Sequence, residues 1–481
     1  MKAISVLGTS SNSGKSWLAT ALCRLLHRRG IRVSPFKAQN MSNNSYATLD
    51  GSEIGRAQAV QAEACELLPG WEMNPILLKP SGGSSSQVLV RGKAVSHLSA
   101  RDYFAQIETY WSAVEETLDE WGPQWDALVL EGAGSPVELN LMDRDIANLR
   151  PIHHLDGRWV LCADIERGGV FAQIVGTWNL LPQEMKDRCL GVVVNKFRGD
   201  LSLFDEAGDC LAEHVEAPLL GTLPYRSDLQ PEPEDSLSLK RDTGDREGEV
   251  IAWIKLPFLS NSTDAEPWAD DGGVRTRWVE SPSELGEAKA IVIPGSKDTL
   301  NDLNWLKETG WADLIGKTEL PVVGICGGYQ MLGRTLEDAD GVSGSAGSVA
   351  GLGCLPIATT FESQKLVKQG EVQWGDSGPT WTGYEIHMGR TAFEEPVESL
   401  LNLNGRGEGA VQGRFWGTYV HGVFDHPAAR SALAEAAGIS GHVPAELSWA
   451  ESKSRLYDGM ADCLEQYLNL EPLFAYLGHD Q

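Results

Sequence analysis

Short continuous apolar runs, separated by longer amphipathic stretches, restrict the possible folds of this chain more than any other feature. In the first half such runs occupy residues 3–7, 31–36, 127–130, 159–163, 191–194 and 219–223. Because they are continuous rather than alternating, we expect strands buried on both faces, as in a parallel sheet covered by helices. The sequence therefore predicts an α/β domain over residues 1–230.

The same pattern begins again after a polar segment. Residues 231–249 lose nearly all large apolar side chains and concentrate Pro, Asp and Glu, which is typical of a linker. Four further apolar runs follow at 251–256, 290–293, 321–325 and 417–420, and the glycine-rich stretch 340–353 is a predicted loop. A chain of 481 residues has room for several domains of about 150 residues. We predict a second α/β domain over 250–440 and a helical C-terminal segment over 441–481.

The net charge of the chain argues against nucleic acid as a partner. It is −27 at pH 7, which would repel a phosphate backbone. The first hundred residues are the exception, with eleven Lys and Arg against five Asp and Glu, so we expect this end to attract anions. No stretch reaches the roughly 20 apolar residues of a membrane span. The eight Cys include no C-x-x-C pair, which is typical of reduced thiols in a cytoplasmic protein.

A strand, a loop of small residues and a helix follow one another at the N-terminus. The loop GTSSNSGKS is one residue longer than the usual Walker A motif, and its candidate ATP-binding residues are Gly8, Thr9, Ser13, Gly14, Lys15 and Ser16. Small residues allow backbone N–H groups to turn toward phosphate oxygens. Lys15 offers a cation to the terminal phosphates, and Ser16 offers a hydroxyl to Mg²⁺. The sequence predicts an ATP site here, with a plain strand-to-helix turn as the alternative.

Polar groups at the ends of neighbouring strands are candidates to complete that site. Glu131 ends the run ALVLE and is the first candidate Mg²⁺ ligand, and Asp50 is a second candidate. Asn195 and Lys196 end another strand, where they are placed to contact a purine. An ordinary loop explains that pair equally well.

The second domain contains a candidate nucleophile. The strand PVVGIC runs directly into GGYQMLG, which places Cys326 between Gly324 and Gly328. This G-x-C-x-G pattern is that of a nucleophile elbow with sulfur in place of oxygen, because the glycines leave room for a sharp turn and the helix start favours a thiolate. The N–H groups of Gly327 and of Gly295, in the loop IPGSKDT, are candidates for an oxyanion hole. We predict a reactive cysteine rather than a buried structural one.

A cysteine nucleophile needs a base, and two histidines qualify. His421 ends a predicted strand in GTYVHGVFDH, whereas His387 lies in GYEIHMGR, and spacing alone does not choose between them. The chain thus carries a predicted ATP site and a predicted Cys–His acyl-transfer site. Their most economical combination is an ATP-dependent amidotransferase. In such an enzyme Cys326 attacks the side-chain amide of glutamine, and the ATP half activates a carboxylate for the released ammonia.

Several segments together resemble one family of amidotransferases. GICGGYQMLG, IPGSKDT, GYEIHMGR and YVHGVF are similar to the glutamine amidotransferase domain of the cobyric acid synthase and cobyrinate diamide synthase type. GTSSNSGKS resembles the dethiobiotin-synthetase-like P-loop domain joined to it. PFKAQNMSNNSYAT, MNPILLKP, EGAGSPVELNLMDRDIAN and ADIERGGVFAQIVGT resemble the branch that forms adenosylcobyric acid rather than the diamide-forming branch. The resemblance covers nearly the whole chain.

The resemblance implies a P-loop synthetase domain with a parallel sheet, joined to a class I-type glutamine amidotransferase α/β domain. The implied reaction is the amidation of the b, d, e and g carboxylates of adenosylcobyrinic acid a,c-diamide in cobalamin biosynthesis, with glutamine, ATP and Mg²⁺. A cobyrinate a,c-diamide synthase is one alternative. A non-catalytic P-loop partner protein of the ParA and MinD kind is the other.

Matching motifs imply roles for individual residues. Cys326 is the implied nucleophile and His421 its base, which decides against His387. The remaining implied contacts are Lys15 and Ser16 to ATP and Mg²⁺, Glu131 to Mg²⁺, Asn195 to adenine, and Asp145, in DRDIAN, near the corrinoid carboxylates or the metal.

The sequence departs from the usual glutaminase pattern at one position. Many Cys-type glutaminases place a Glu two residues after the histidine to orient it, whereas this chain has Val423 there. We therefore expect a Cys–His dyad, with Asp425 as the alternative orienting residue.

Overall fold

The computed structural model of the chain describes residues 1–81, 85–232, 241–245, 247–343, 346–375 and 377–478. In chain order the strands are β1 (Lys2–Gly8), β2 (Val33–Phe36), β3 (Gln39–Met41), β4 (Ser45–Ala47), β5 (Glu53–Gly55), β6 (Ile76–Ser81), β7 (Ser85–Val90), β8 (Lys93–Ser99), β9 (Ala127–Glu131), β10 (Arg158–Asp164), β11 (Cys189–Phe197), β12 (Leu219–Pro224), β13 (Asp242–Gly244), β14 (Glu249–Ile254), β15 (Leu259–Ser260), β16 (Val274–Val279), β17 (Ala290–Ile293), β18 (Gly295–Ser296), β19 (Val322–Ile325), β20 (Thr335–Asp338), β21 (Gly347–Ala350), β22 (Ile357–Trp374), β23 (Thr380–Phe393), β24 (Leu401–Leu403), β25 (Arg406–Glu408), β26 (Ala410–Gln412) and β27 (Phe415–Thr418). The α-helices are α1 (Lys15–Arg28), α2 (Arg56–Ala64), α3 (Ala100–Ala105), α4 (Ile107–Trp121), α5 (Leu149–His154), α6 (Val170–Leu180), α7 (Gln183–Lys186), α8 (Ala207–Ala212), α9 (Thr299–Glu308), α10 (Trp311–Lys317), α11 (Gly327–Leu332), α12 (Pro427–Ala436), α13 (Trp449–Tyr467) and α14 (Glu471–Leu477). Within these ranges no helix combines the length and the apolar character needed to cross a lipid bilayer.

Six parallel strands form the sheet of the first domain, in the order β12-β11-β10-β1-β9-β2. Each strand overlaps one of the six predicted apolar runs, so the predicted α/β class of this part of the chain is confirmed. Successive residues of a strand face opposite sides of a sheet, and Ile4 packs with α1 whereas Ala3 packs with α4. Helices therefore cover both faces. Because β1 lies between β9 and β10, the loop that follows it meets the carboxyl ends of both.

The C-terminal segment is helical as predicted, but it is not a separate unit. Helix α13 lies along α1 and buries Met460 and Leu464 in the core of the first domain. An ion pair between Arg24 of α1 and Asp458 of α13, at 2.8 Å, lies at the edge of this contact. The chain therefore returns to the first domain after it has completed the second.

The second domain is built on a seven-stranded sheet in the order β13-β16-β14-β17-β19-β27-β26. Its four predicted strands are present as β14, β17, β19 and β27, and they run parallel to one another. The predicted linker over 231–249 is only partly correct, because β13 pairs with β16 and Glu232 forms a buried ion pair with Arg56. Residues 233–240 and 246 of that prediction lie outside the described residues.

A long antiparallel hairpin, β22 with β23, extends from the second domain to the first. It belongs to the sheet β21-β20-β22-β24-β25, in which β23 pairs with β22. No apolar run marks this hairpin in the sequence, because most positions of β22 after residue 361 are exposed or half-buried. The predicted loop 340–353 contains β21, and its residues 344–345 lie outside the described ranges. The hairpin packs against β4, and the four-stranded sheet β3-β6-β7-β8 lines a cavity shared with the second domain.

Candidate functional site

Cys326 occupies the sharp turn that the sequence predicts. Strand β19 ends at Ile325 and α11 begins at Gly327, and the residue between them has a φ of 51°, which L-residues rarely adopt. Any Cβ at Gly328 would overlap the carbonyl oxygen of Ile293, so only glycine fits there. The predicted sharp strand-to-helix turn is therefore present, and the role of Cys326 as nucleophile stays a prediction.

A buried carboxylate orients His421. The His421 Nδ1 lies 2.7 Å from Asp264 Oδ2, and both side chains are almost completely buried. The other oxygen of Asp264 accepts a hydrogen bond of 2.6 Å from the Gly422 N–H. Burial alone would lower the pKa of His421, but the Asp264 carboxylate and the Cys326 sulfur more than offset burial and raise it to about 10. The Asp264 carboxylate therefore favours the protonated form of the His421 ring.

The expected Cys–His dyad is wrong, because Asp264 completes a triad. It lies in the 3₁₀ helix Ser262–Asp270 that follows β14 and β15, 157 positions before His421 in the sequence. Among the hydrogen bonds of the described residues, none joins the Asp425 side chain to His421, and burial raises the pKa of Asp425 to about 7. No local pattern marks Asp264 in the sequence. The short strand β15, which pairs with β18 outside the parallel sheet, separates it from the end of β14.

His387, the alternative base, lines the same cavity in another role. Its Nδ1 lies 2.8 Å from the carbonyl oxygen of Gly389, and its ring stacks on Tyr419 with the centroids 3.7 Å apart. On the same strand, Tyr384 stacks on the His421 ring at 5.2 Å. The segment GYEIHMG therefore supports the base rather than supplying it.

The two glycines of the expected oxyanion hole lie beside the nucleophile. A Cβ at Gly295 would be 3.2 Å from the His421 ring, and a Cβ at Gly327 would be 2.8 Å from the backbone nitrogen of Ser296. The two segments thus touch at the elbow, as an oxyanion hole requires. They border a cavity of about 780 Å³, which Lys79 and Gln87 of the first domain also line.

The loop GTSSNSGKS has the close packing of a phosphate-binding turn. Gly14 has a φ of 101° and Asn195 lies where its Cβ would be, so a side chain does not fit. The Lys15 Nζ donates to the carbonyl oxygens of Ser10, at 2.9 Å, and Gly134, at 3.0 Å. The buried Ser13 Oγ has no hydrogen-bond partner among the described residues, and a phosphate oxygen would supply one.

Two other loop positions also have defined surroundings. A Cβ at Gly8 would overlap the Ser13 hydroxyl, so the loop closes tightly over the end of β1. The Thr9 hydroxyl donates to Gln173 Oε1 at 3.1 Å. The Thr9 side chain therefore joins the loop to α6. The Thr9 backbone N–H donates a hydrogen bond to the Cys162 carbonyl oxygen at 3.1 Å.

Three side chains donate hydrogen bonds to the Glu131 carboxylate. The Ser16 hydroxyl donates to its Oε1 at 2.8 Å, and Lys37 Nζ lies 2.8 Å from the same oxygen. Gln61 Nε2 donates to the other oxygen at 2.5 Å. Burial alone would raise the pKa of Glu131, but these donors, Lys37 first, hold it below its usual range. A hydroxyl and an ionised carboxylate side by side are ligands that Mg²⁺ prefers, so Ser16 and Glu131 fit a magnesium ion bound with ATP.

The Asn195 side chain hydrogen-bonds to the phosphate-binding loop, so its polar atoms are not available to bind adenine. Its amide nitrogen donates to the Ser13 carbonyl at 3.2 Å, and its oxygen accepts from the Lys196 N–H at 2.8 Å. Both ends of the side chain are used within the protein. An adenine contact would require Asn195 to give up these bonds.

The structure does not bring Asp50 to the ATP site. Its carboxylate accepts hydrogen bonds from Thr48 and Ser52 in the exposed turn between β4 and β5, so we reject it as a metal ligand.

The Asp145 carboxylate accepts hydrogen bonds from the N–H groups of Ala147 and Asn148. The Asn148 side-chain amide in turn donates to the Ala133 carbonyl, in the loop after Glu131. A contact between Asp145 and the corrinoid or the metal stays a proposal.

Helix α2 joins the two sites. At its first residue, Arg56 lies over the Tyr46 ring at 5.1 Å, and Tyr46 contacts Tyr384 behind the base. Near its other end, Gln61 donates to the carboxylate of Glu131. One helix of nine residues thus contacts the surroundings of both centres.

Known proteins match both parts of the chain. Residues 4–239 match the CobQ/CobB/MinD/ParA nucleotide binding domain, and residues 250–429 match the CobB/CobQ-like glutamine amidotransferase domain. The chain is 43% identical to the cobyric acid synthase of Pelotomaculum thermopropionicum over 99% of its own length and 97% of that relative. The chain belongs to the cobyric acid synthase family. Its identity to the cobyric acid synthase of a Synechocystis strain is 42%, over 99% of each chain. The fold class expected from the sequence, a P-loop α/β domain followed by an amidotransferase α/β domain, is therefore confirmed.

Replacing Asp264 by Asn should disable the base without removing the nucleophile. The amide keeps the size of the side chain but removes the charge that raises the pKa of His421. We expect kcat for glutamine hydrolysis to fall about 100- to 10,000-fold. The alkaline limb of the kcat/KM profile, set by His421 near pH 10, should move to lower pH. Steady-state glutaminase assays across neutral and alkaline pH measure both effects.

Asp425→Asn is the matched control, because it also removes a half-buried carboxyl group, four residues after His421. It should keep the wild-type pH profile, and an equal loss in both variants would contradict the role of Asp264.

Folding raises the pKa of His421 from 6.5 to about 10. The stabilisation from its pair with Asp264 is thus fully present below pH 6.5 and is lost as the pH rises through 10. Urea unfolding of Asp264→Asn should lack that alkaline decline.

Proposed function

We propose that the chain catalyses ATP- and glutamine-dependent amidation of the b, d, e and g carboxylates of adenosylcobyrinic acid a,c-diamide, giving adenosylcobyric acid in cobalamin biosynthesis. One observation carries the proposal. A buried Cys326–His421–Asp264 site and a phosphate-binding loop with Lys15 and Glu131 lie in one chain and are bridged by α2. The two sites supply the two half-reactions, ammonia release and carboxylate activation. Relatives matched over nearly their whole length are cobyric acid synthases.

Glutamine hydrolysis begins with the Cys326 thiolate, which attacks the side-chain amide carbon. The N–H groups of Gly295 and Gly327 stabilise the oxyanion that forms. His421 gives its proton to the leaving nitrogen, so ammonia departs and a glutamyl thioester remains. Neutral His421 then takes a proton from the water that cleaves the thioester, which regenerates the thiolate and releases glutamate. Asp264 keeps the ring oriented throughout.

The first domain activates a carboxylate of the corrinoid. In-line transfer of the terminal phosphoryl group of ATP to a carboxylate oxygen gives a carboxyl phosphate and ADP. Lys15 balances the negative charge on the transferred group, and the backbone N–H groups of the loop bind the remaining phosphates. Ser16 and Glu131 would hold Mg²⁺, which when bound neutralises phosphate charge.

Ammonia then displaces phosphate from the carboxyl phosphate and forms the amide. Since water would hydrolyse this intermediate, the route between the sites must be shielded. Asn43 Oδ1, Gln58 Nε2 and Gln61 Oε1 are buried and have no hydrogen-bond partner among the described residues. They belong to the β3–β4 connection and to α2, between the two sites. These atoms would hydrogen-bond to ammonia in transit.

A cytoplasmic location, without a nucleic-acid or membrane partner, is part of the same proposal. The eight cysteines are free thiols, as expected in a reducing compartment. The net charge of −27 supports a small-molecule substrate over nucleic acid.

Two alternatives make different demands on the site. A non-catalytic partner protein of the ParA and MinD kind would have no use for an oriented Cys326–His421–Asp264 triad, so the triad favours an enzyme. A cobyrinate a,c-diamide synthase would use both sites on a different pair of carboxylates. Only substrate assays separate it from the proposed activity.

Incubation with adenosylcobyrinic acid a,c-diamide, ATP and glutamine tests the proposed substrate. We expect mass spectrometry to show stepwise conversion of carboxylates into amides, up to the b, d, e and g positions. Cobyrinic acid is the control substrate. A preference for it would support the diamide synthase, and no amidation of either compound would refute the proposed function.

Replacing Cys326 by Ala should separate the two half-reactions. The variant lacks the sulfur nucleophile, so glutamine-driven amidation should be lost while ammonia-driven amidation remains. Product formation with glutamine and with ammonium chloride measures the difference. The control is Cys210→Ala, which removes an exposed thiol. Loss of both activities, or of neither, would count against the coupled mechanism.

Replacing Lys15 by Ala should abolish amidation from either nitrogen source. Without the ammonium group the charge on the transferred phosphoryl group is uncompensated, whereas the cysteine site is intact and should retain part of its glutaminase activity. Parallel assays of amide formation and glutamate release measure both. The exposed Lys317→Ala is the control. Unimpaired ATP-dependent amidation in Lys15→Ala would refute its phosphate role.

A further inference from the structure

Three lysines face the cavity that contains Cys326, with a single glutamate between two of them. Lys79, Lys297 and Lys365 line the cavity. Glu53 is almost completely buried and forms ion pairs with Lys79 and Lys365. The hydrolysis steps described above use none of these four side chains, so their charges call for a separate explanation.

Lys297 is the lysine of this group without a carboxylate partner. No carboxylate of the described residues lies within ion-pair distance of its Nζ, which donates instead to the neutral Gln87 Oε1 at 3.1 Å. Burial, followed by the charges of Lys79 and Lys365, holds the pKa of Lys297 well below its usual range. An anion that entered the cavity would relieve this repulsion.

Asp298, the acidic residue next to Lys297, does not form an ion pair with it. Asp298 also lines the cavity, but its carboxylate accepts hydrogen bonds from the backbone and side-chain nitrogens of Asn301, at 3.3 and 2.7 Å, and so caps helix α9. The three lysines outnumber the two carboxylates that pair with them or line the cavity, Glu53 and Asp298, so the balance of these charges is positive.

The position of Lys297 suits one part of the glutamine molecule. Lys297 lies two residues after Gly295, and its backbone N–H is held by the Phe258 carbonyl at 2.8 Å. Four carbon–carbon bonds of about 1.5 Å separate the amide carbon of glutamine from its α-carboxylate carbon. An extended glutamine with its amide carbon at Cys326 would place its α-carboxylate roughly 5 Å away. Lys297 lines the same cavity as Cys326.

We propose that Lys297 binds the α-carboxylate of glutamine and that Gln87 of the first domain holds its ammonium group in place. The proposal rests on the glutaminase activity proposed above and adds a substrate contact to it. Because Gln87 lies on β7, the glutamine site is completed across the interface between the domains. The ion pairs of Glu53 with Lys79 and Lys365 hold the surrounding walls together.

The test compares glutamine with 4-aminobutanamide, which is glutamine without its α-carboxylate. In Lys297→Gln we expect kcat/KM for glutamine to fall about 10- to 100-fold, mainly through KM, because a charge-assisted hydrogen bond is lost. The value for 4-aminobutanamide should hardly change. Lys297→Arg keeps a cation and should recover part of the preference for glutamine. Lys93→Gln, which neutralises an exposed lysine on β8, is the matched control and should behave as wild type.

The outcomes separate this proposal from the proposed function. Ammonia-driven amidation by Lys297→Gln at the wild-type rate shows that the variant is folded and that the synthetase reaction stands. An equal fall for both amides in Lys297→Gln, or an unchanged KM for glutamine, would overturn the carboxylate contact alone. Absence of amidation by the wild-type protein with both glutamine and ammonia would instead refute the proposed function.

Discussion

Glu53 is the carboxylate on which the arrangement of the two domains depends. It is 1% exposed and lies between Lys79 of its own domain and Lys365 of the second. Burial alone would raise the pKa of Glu53, but the lysines hold it well below its usual range. Loss of both cations would leave Glu53 as an uncompensated buried charge, and breaking a buried ion pair typically costs about 3–5 kcal/mol. The cavity beside Cys326 is closed by this contact, so its walls keep their places only while the domains are docked.

One short helix connects the surroundings of the two centres. Helix α2 has nine residues, and at a rise of about 1.5 Å per residue it is roughly 14 Å long. Its first residue, Arg56, is fixed by the buried ion pair with Glu232 and by the Tyr46 ring. Its later residue Gln61 is fixed by Glu131. The proposed ammonia route runs along this helix, where Gln58 Nε2 and Gln61 Oε1 have no hydrogen-bond partner among the described residues.

The sequence was sufficient for residues whose roles depend on local geometry. Cys326 and Lys15 were identified because glycines beside them are required by the turn itself, and the strands of both parallel sheets were identified from their apolar runs. Asp264 was missed, because its contact with His421 exists only after β14 and β27 have taken places in one sheet. The assignment of Asp50 was wrong for a similar reason, since only the folded turn shows that Thr48 and Ser52 occupy its carboxylate. Packing between distant segments leaves no local pattern to detect.

The return of the chain to its first domain has a consequence for biosynthesis. Helix α1, which begins at the phosphate-binding loop, buries one side against α13, and α13 is translated only after the entire second domain. At about 5–20 residues per second, tens of seconds separate the synthesis of α1 from that of α13. The core of the first domain is therefore complete only after the second domain has been synthesised. A factor that shields apolar surface during translation would act on this interval.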